Sequence, residues 1–381
     1  MFSIKSGFSV KGLIFVVALV AFVGVALWGV ATFLLPGDAG GTASIGGEHT
    51  VLLRNGRIFA WGNNQNGQLG LGDTESRTSP TPVGEVSGWD LISAGGQHTL
   101  AVLDGKLYAW GSNNTGQLGL GDFNQRNTPT RVGAHADWTH ISAGWGYSLA
   151  IRNGELFAWG ENRRGQLGVV GAPVARSPVR VGEYADWTHI SAGVEHSLAI
   201  RSGEIFAWGY NHHGQLGLGD TEDRGTPTRV GEATGWTAAF VGVANSIGIK
   251  NGEVFGWGWN LHGQLGLGDM DDRNVPTRLE GHPVWDKVAV GGLNSFAIKE
   301  GELFAWGFNY SGQLGLGDSF SRYAPSRVGT RNDWEAVYAG VNLHAVGVSG
   351  GELFAWGVNS SGQLGVGDTE SRGEPTSIEV P

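Results

Sequence analysis

No cysteine occurs anywhere in the 381 residues. That absence excludes a disulfide framework, a thiol nucleophile and a thiolate metal site. Charge is sparse as well, at 16% of residues with a formal net charge of −10 and no basic cluster. A nucleic acid or an anionic lipid surface is therefore not an expected partner for the body of the chain. No run outside the N-terminus keeps a helical period, so helical architectures are excluded for nine tenths of the sequence. A nucleophile elbow, a His-Glu-x-x-His pair and a phosphate loop are all missing, and no carboxylate pair stands apart from the general pattern. We expect no enzyme and no cofactor.

What the chain has is glycine and tryptophan, 67 and 16 residues respectively, and they recur in register. A Trp-Gly pair falls at Trp61, Trp110, Trp159, Trp208, Trp257, Trp306 and Trp356, spaced 49 residues apart five times and then 50. Self-similarity at such a period marks a solenoid, a propeller or an array. Each repeat holds short apolar runs such as Glu155-Leu156-Phe157-Ala158-Trp159, broken by Asn-Gly or Ser-Gly dipeptides typical of tight hairpins (Asn55-Gly56, Asn153-Gly154, Ser202-Gly203). Four short strands per repeat and seven repeats give an all-β, seven-bladed propeller of four-stranded blades. A closed ring hides its edges, so the C-terminal stretch Pro375–Val380 is expected to complete a blade with the start of the propeller; a register in which every blade is contiguous stays open.

Trp-Gly-x-Asn-x-x-Gly-Gln-Leu-Gly-x-Gly-Asp, preceded by Ala-Gly-x-x-His-Ser-Leu-Ala, resembles the repeat of the regulator of chromosome condensation family over residues 43–381. The resemblance implies a seven-bladed propeller. It leaves function open, because the family includes a guanine-nucleotide exchange factor, secreted β-lactamase-inhibitor proteins and a plant ultraviolet photoreceptor. The chromatin-bound member docks through basic segments that this acidic chain lacks. The photoreceptor uses a tryptophan cluster, whereas here only Trp145 occupies the corresponding loop.

Leu13 to Leu35 is an uncharged, mostly apolar run of 23 residues, long enough as a helix to span roughly 35 Å and cross a bilayer core of about 30 Å. We read it as a transmembrane anchor, with 1–38 forming tip, anchor and linker and 39–381 the propeller. Lys5 and Lys11 precede the run while Asp38 and Glu48 follow it. The positive-inside tendency then puts the N-terminus in the cytoplasm and the propeller in the periplasm or outside the cell. A cleaved signal peptide and a prepilin-type leader are the competing readings.

Two recurrent positions tempt a metal reading. Asp73, Asp122, Asp220, Asp269, Asp318 and Asp368 lie on Gly-rich loops, but each is followed four residues later by an arginine: Arg77, Arg126, Arg224, Arg273, Arg322 and Arg372. The third repeat loses both, with Gly171 and Ala175 in their place, which marks a structural ion pair. The Ala-Gly-x-x-His position reads His49, His98, Tyr147, His196, Asn245, Asn294 and Leu343, a set too mixed for a metal. Inward-facing polar residues satisfied by backbone are expected there.

Variation between repeats is the functional signal. The residue after Trp-Gly is Asn63, Ser112, Glu161, Tyr210, Trp259, Phe308 and Val358. Three adjacent blades thus carry aromatic residues at one spot, Leu261 and Tyr310 extend the set, and Trp145 and Tyr147 are secondary candidates. The expected function is a membrane-anchored protein-binding propeller, an accessory or assembly subunit of a membrane complex. The alternatives are an exchange-factor-like regulator of a small GTPase, or a secreted or carbohydrate-binding propeller.

Overall fold

A computed structural model describes residues 40–281 and 284–381. The expected anchor over Leu13–Leu35 lies outside the described residues. Among those described, no helix is long and apolar enough to cross a membrane.

Among the described residues, twenty-eight strands form seven four-stranded antiparallel sheets, each made of consecutive strands. In blade 1 these are β1 (Thr42–Ile45), β2 (His49–Arg54), β3 (Arg57–Gly62) and β4 (Arg77–Pro82). Blades 2 to 7 occupy residues 89–131, 138–180, 187–229, 236–278, 287–327 and 334–378. The shared closing blade expected from the C-terminal stretch is not what forms. Arg372–Ile378 pairs with Glu352–Gly357 inside blade 7, and Thr42–Ile45 pairs only within blade 1. The ring closes by side-chain packing and by bonds such as Trp61 Nε1–H to the Gln363 carbonyl at 2.9 Å.

Local chemistry explains why each repeat makes this unit. Asn55 and Gly56 both take positive φ, 53° and 71°, as a two-residue hairpin turn requires. Each outer strand carries a proline, Pro80, Pro129, Pro178, Pro227, Pro276, Pro325 or Pro375, which lacks the N–H a further strand would need and so blunts the exposed edge. The Trp-Gly tryptophans are fully buried between blades.

The repeat motif is an inter-blade lock. At the first junction Trp110 Nε1–H and Thr99 Oγ1–H both donate to the Gln68 carbonyl, at 3.0 and 2.9 Å. Thr99 has only one hydroxyl hydrogen, so it accepts from His49 Nε2–H at 3.1 Å, which fixes the histidine tautomer. The ring nitrogen contacts are thus to hydroxyls of the next blade rather than to backbone. His98 and Ser148 (2.9 Å) and His196 and Ser246 (3.0 Å) repeat the arrangement, while in blade 3 the Tyr147 hydroxyl stands 2.8 Å from Ser197 and gives its one hydrogen to the His196 carbonyl. The seventh member is His344, which meets Thr50 at 3.1 Å. Leu343, expected there, is displaced by the one-residue insertion that lengthens the last period. Glycine before the motif is obligatory: a Cβ on Gly46 would sit 2.3 Å from the His49 ring. Burial pushes His49, His98 and His196 down to about 3 and His344 to about 4.

Candidate partner-binding face

β1–β2 turns and β3–β4 loops emerge on one end of every blade, which we call the loop face. Hairpins and inter-blade connections occupy the other end.

The expected ion pairs form in all six loops, at 2.6 Å for Asp73–Arg77, 2.8 Å for Asp122–Arg126, 2.5 Å for Asp220–Arg224, 2.6 Å for Asp269–Arg273, 2.5 Å for Asp318–Arg322 and 2.6 Å for Asp368–Arg372. The second carboxylate oxygen is also engaged. Asp73 Oδ1 accepts from Asn64 Nδ2 at 2.9 Å and from the Glu75 amide at 3.0 Å. Asp122 is held below the usual carboxylate range by the Arg126 hydrogen bond first and the Asn124 amide second. These oxygens are spent on loop closure, and no group of three or more metal-ligating side chains occurs among the described residues. In blade 3 Asn162 Nδ2 instead donates to the Val169 and Ala172 carbonyls, and Val170 stands 87% exposed.

The loop after Trp-Gly is pinned by one backbone bond per blade. Tyr210 N–H donates to the Glu195 carbonyl, Trp259 to Ala244 and Phe308 to Leu293, each at 2.9 Å. Equivalent bonds on adjacent blades bring the three rings into an arc, as the sequence spacing implied. His213 lies 5.5 Å from Trp259, His262 lies 5.6 Å from Trp259 and 4.7 Å from Phe308, and Tyr310 is 4.7 Å from Phe308. Arg164 covers Tyr210 at 4.8 Å, where a cation is favoured over a ring face. Burial lowers His262. The central rings are half-buried, while Leu261 and Tyr310 are 49% and 70% exposed. Trp145 is exposed at the mouth of a small central cavity of about 50 Å³. Tyr147 is a correction: it is wholly buried, its hydroxyl donating to the His196 carbonyl at 2.7 Å. It belongs to the lock and cannot reach a partner.

Sequence reasoning missed the inner position, although the same register carries it. The residue that bonds the amide after Trp-Gly is Glu48, Gln97, Gly146, Glu195, Ala244, Leu293 and Leu343 around the ring. Reading both positions together splits the loop face. Blades 1 to 4 present Glu48 with Asn63, Gln97 with Ser112, Gly146 with Glu161, and Glu195 with Tyr210. Blades 5 to 7 present Ala244 with Trp259, Leu293 with Phe308, and Leu343 with Val358. Seven of the thirteen large apolar residues exposed among those described also lie between Leu261 and Tyr323. The apolar surface is therefore concentrated on one side of the ring.

A fold of seven such blades with this loop signature defines an RCC1-like propeller. The RCC1-like domain model matches residues 41–248, and regulator of chromosome condensation (RCC1) repeats match 251–298, 300–346 and 350–381; the chain belongs to this family. It is 43% identical to the ultraviolet-B receptor UVR8 of Arabidopsis thaliana over 51 residues, 13% of this chain and 12% of that receptor. Among solved structures it is similar to human WBSCR16, with TM-score 0.77 at 24% identity over 86% of this chain and 95% of that one. It is also similar to Prp20p from Saccharomyces cerevisiae, with TM-score 0.75 at 22% identity over 92% and 90%. These similarities extend to the fold.

Proposed function

We propose that this chain is a non-catalytic docking propeller that seats a protein partner on the apolar half of its loop face. The carrying observation is the run of three consecutive blades, 5 to 7, in which both loop-face positions are apolar. Large contiguous apolar areas on soluble surfaces mark interaction sites, and Trp and Tyr are enriched in them. Photo-crosslinking from residue 308 tests the reading: adducts are expected there and not from residue 84 on the opposite face, whereas equal labelling from both refutes it.

For the partner's class, the family similarity supports an exchange-factor-like regulator of a small GTPase ahead of a purely architectural subunit. Prp20p, which shares the fold, has binding properties toward Gsp1p and histones. Exchange requires no nucleophile, only tighter binding of the nucleotide-free state, and so suits a face built of rings and aliphatic side chains. Accelerated release of fluorescent GDP from a small GTPase, lost in Trp259→Ala, is the expected result. Crosslinking without acceleration selects the accessory role in a membrane complex instead.

That accessory reading is supported by Leu13–Leu35. β1 begins where Thr42 pairs with Leu53, at the hairpin end, so an anchor ahead of it turns the loop face away from the bilayer and toward a partner. Protease protection reports the side of the membrane. Deletion of residues 1–35 leaves all seven blades complete, so we expect a folded, soluble propeller; recovery only as aggregate sinks that expectation.

A further inference from the structure

Blade 7 departs from its siblings by one residue, and the departure falls on the loop face. The extra residue lies in the turn Val341–Leu343, and Leu343 takes φ +58°. Among the described residues the six other non-glycine residues with positive φ all occupy the first position of a hairpin turn, where that conformation is required. Leu343 is not in a hairpin turn, and a branched aliphatic side chain in the left-handed region is strained. The strain is held from both sides. Val358 N–H donates to the Leu343 carbonyl at 3.0 Å, and the next residue, His344, is fixed in the lock by Thr50 at 3.1 Å. Glycine would satisfy this backbone without cost, yet the position carries a half-buried leucine beside Val358.

Next to it, across the ring closure, stands Glu48. Its Oε2 accepts from Asn63 Nδ2 at 2.9 Å and from Ser361 Oγ of blade 7 at 3.3 Å. No cation among the described residues pairs with it. The carboxylates at the opposite border of the apolar half are already partnered: Arg164 lies 3.9 Å from Glu195 and 4.0 Å from Asp223, and His213 lies 3.1 Å from Asp272. Glu48 therefore stands as an unpaired carboxylate at the blade 1 border of the apolar half, held only by neutral donors.

We infer that the partner element is an apolar segment bearing a lysine or arginine, its apolar side over Leu343, Leu293 and Phe308 and its cation against Glu48. This deepens the docking reading and rests on it. Apolar contact supplies the affinity, and the charge fixes which way round the segment lies. Leu343 is an anchor presented in a conformation that the free propeller alone does not favour.

The test uses a random twelve-residue peptide library displayed on phage and selected on the full chain in detergent, then the enriched peptides synthesised and titrated. Enriched sequences are expected to hold Lys or Arg within a few residues of Leu, Phe or Trp. Leu343→Gly is expected to keep or raise the melting temperature while weakening these peptides about tenfold; Glu48→Lys is expected to weaken them about fivefold and to spare uncharged apolar peptides. Peptides without a basic preference, or Glu48→Lys without effect, overturn the charge assignment while leaving docking intact. Enriched peptides indifferent to both Leu343→Gly and Leu293→Asp, or no enrichment at all, overturn the face itself. Leu343→Gly that lowers the melting temperature shows the leucine to be a packing residue and overturns its role as an anchor.

Discussion

Blades 1 to 4 and blades 5 to 7 come from the same repeat and differ at the loop face, and blades 5 and 6 differ a second time at the inter-blade lock. At the junctions of blades 1, 2 and 4 with their successors, the histidine, the hydroxyl, the glutamine carbonyl and the indole N–H form an unbroken chain, and at blade 3 Ser197 and Trp208 keep the glutamine carbonyl while Tyr147 donates across the junction to the His196 carbonyl. At the next two junctions it fails. Asn245 and Asn294 replace histidine, and their buried side-chain amides have no protein hydrogen-bond partner, while Trp356 Nε1 is unpaired where Ala345 replaces the serine. Blades 5 and 6 also carry the apolar loop face, which blade 7 shares although its own lock to blade 1 is intact. Consistency across levels is what makes a scaffold, and departures from it concentrate where a surface has another task. The coincidence teaches that blades 1 to 4 are held to the repeat by stability, while blades 5 and 6 have drifted from it on both the inner and the outer side of the same turns and blade 7, whose His344 still meets Thr50, on the outer side alone.

The largest test of that contrast is acid. The unfolded chain protonates histidine near pH 6.5, while buried His49, His98 and His196 stay neutral down to about pH 3 and His344 to about 4. The unfolded state therefore binds more protons below pH 6.5. Stability is full above that value and falls as pH drops toward the folded values, by about 2 kcal/mol per histidine between pH 7 and 5. Blade 3, with tyrosine, and blades 5 and 6, with asparagine, do not contribute through this position. His196→Asn should lower stability at pH 7 yet remove about 2 kcal/mol of the pH 7 to 5 difference; denaturant midpoints at the two pH values decide it, and an unchanged difference breaks the account.

On the face, Trp259→Ala should weaken partner binding by about 2 kcal/mol with little change in melting temperature, and Gln97→Ala, an exposed residue of the polar half, should change neither. Equal losses in the two variants, measured by titration, erase the division between halves. In the interior the asymmetry reverses. Trp208→Phe forfeits the bond from Nε1–H to the Gln166 carbonyl at 2.8 Å, whereas Trp356→Phe forfeits none. The first should cost about 1 kcal/mol more than the second in chemical denaturation, and equal costs indicate that the lock carries no net stability.

Much of this was legible from spacing alone, because a strict period aligns equivalent residues without any knowledge of geometry. The propeller, the six Asp–Arg pairs and the arc of Tyr210, Trp259 and Phe308 follow directly. Legibility failed wherever the period did. The inserted residue in blade 7 moved Leu343 out of the histidine position and brought His344 in, which a fixed count cannot register. Tyr147 looked like a surface aromatic beside Trp145 because sequence does not say which way a side chain points after a turn; its hydroxyl substitutes for imidazole in the lock. Ring closure was misread because a shared strand and side-chain packing both hide the seam, and strand pairing is not encoded in the repeat. The inner loop position was overlooked because small and polar residues there in blades 1 to 3 look like ordinary turn residues.

The smallest effect concerns the loops themselves, where blade 3 is the natural control. Asp122 and Arg126 are partly exposed and bonded at 2.8 Å. Each alanine substitution should cost about 1 kcal/mol, and the double variant about 0.5 kcal/mol less than the sum, since loss of either residue already ends the pair. Strict additivity in a denaturation cycle rules out the pairing, and a melting temperature that rises with calcium restores the metal reading. The harder question is whether blade 3 merely lacks the pair. Its loop runs differently: Gly171 takes φ +133°, a region hostile to residues with a Cβ, and Asn162 has re-aimed its amide to Val169 and Ala172. Grafting Gly171→Asp with Ala175→Arg therefore adds two charges to a backbone that cannot bring them together without rebuilding the turn. The graft should leave stability unchanged or lower it by about 1 kcal/mol, measured against the wild-type chain. A gain instead means that the loop of blade 3 needs only its missing partners to return to the form of the other six.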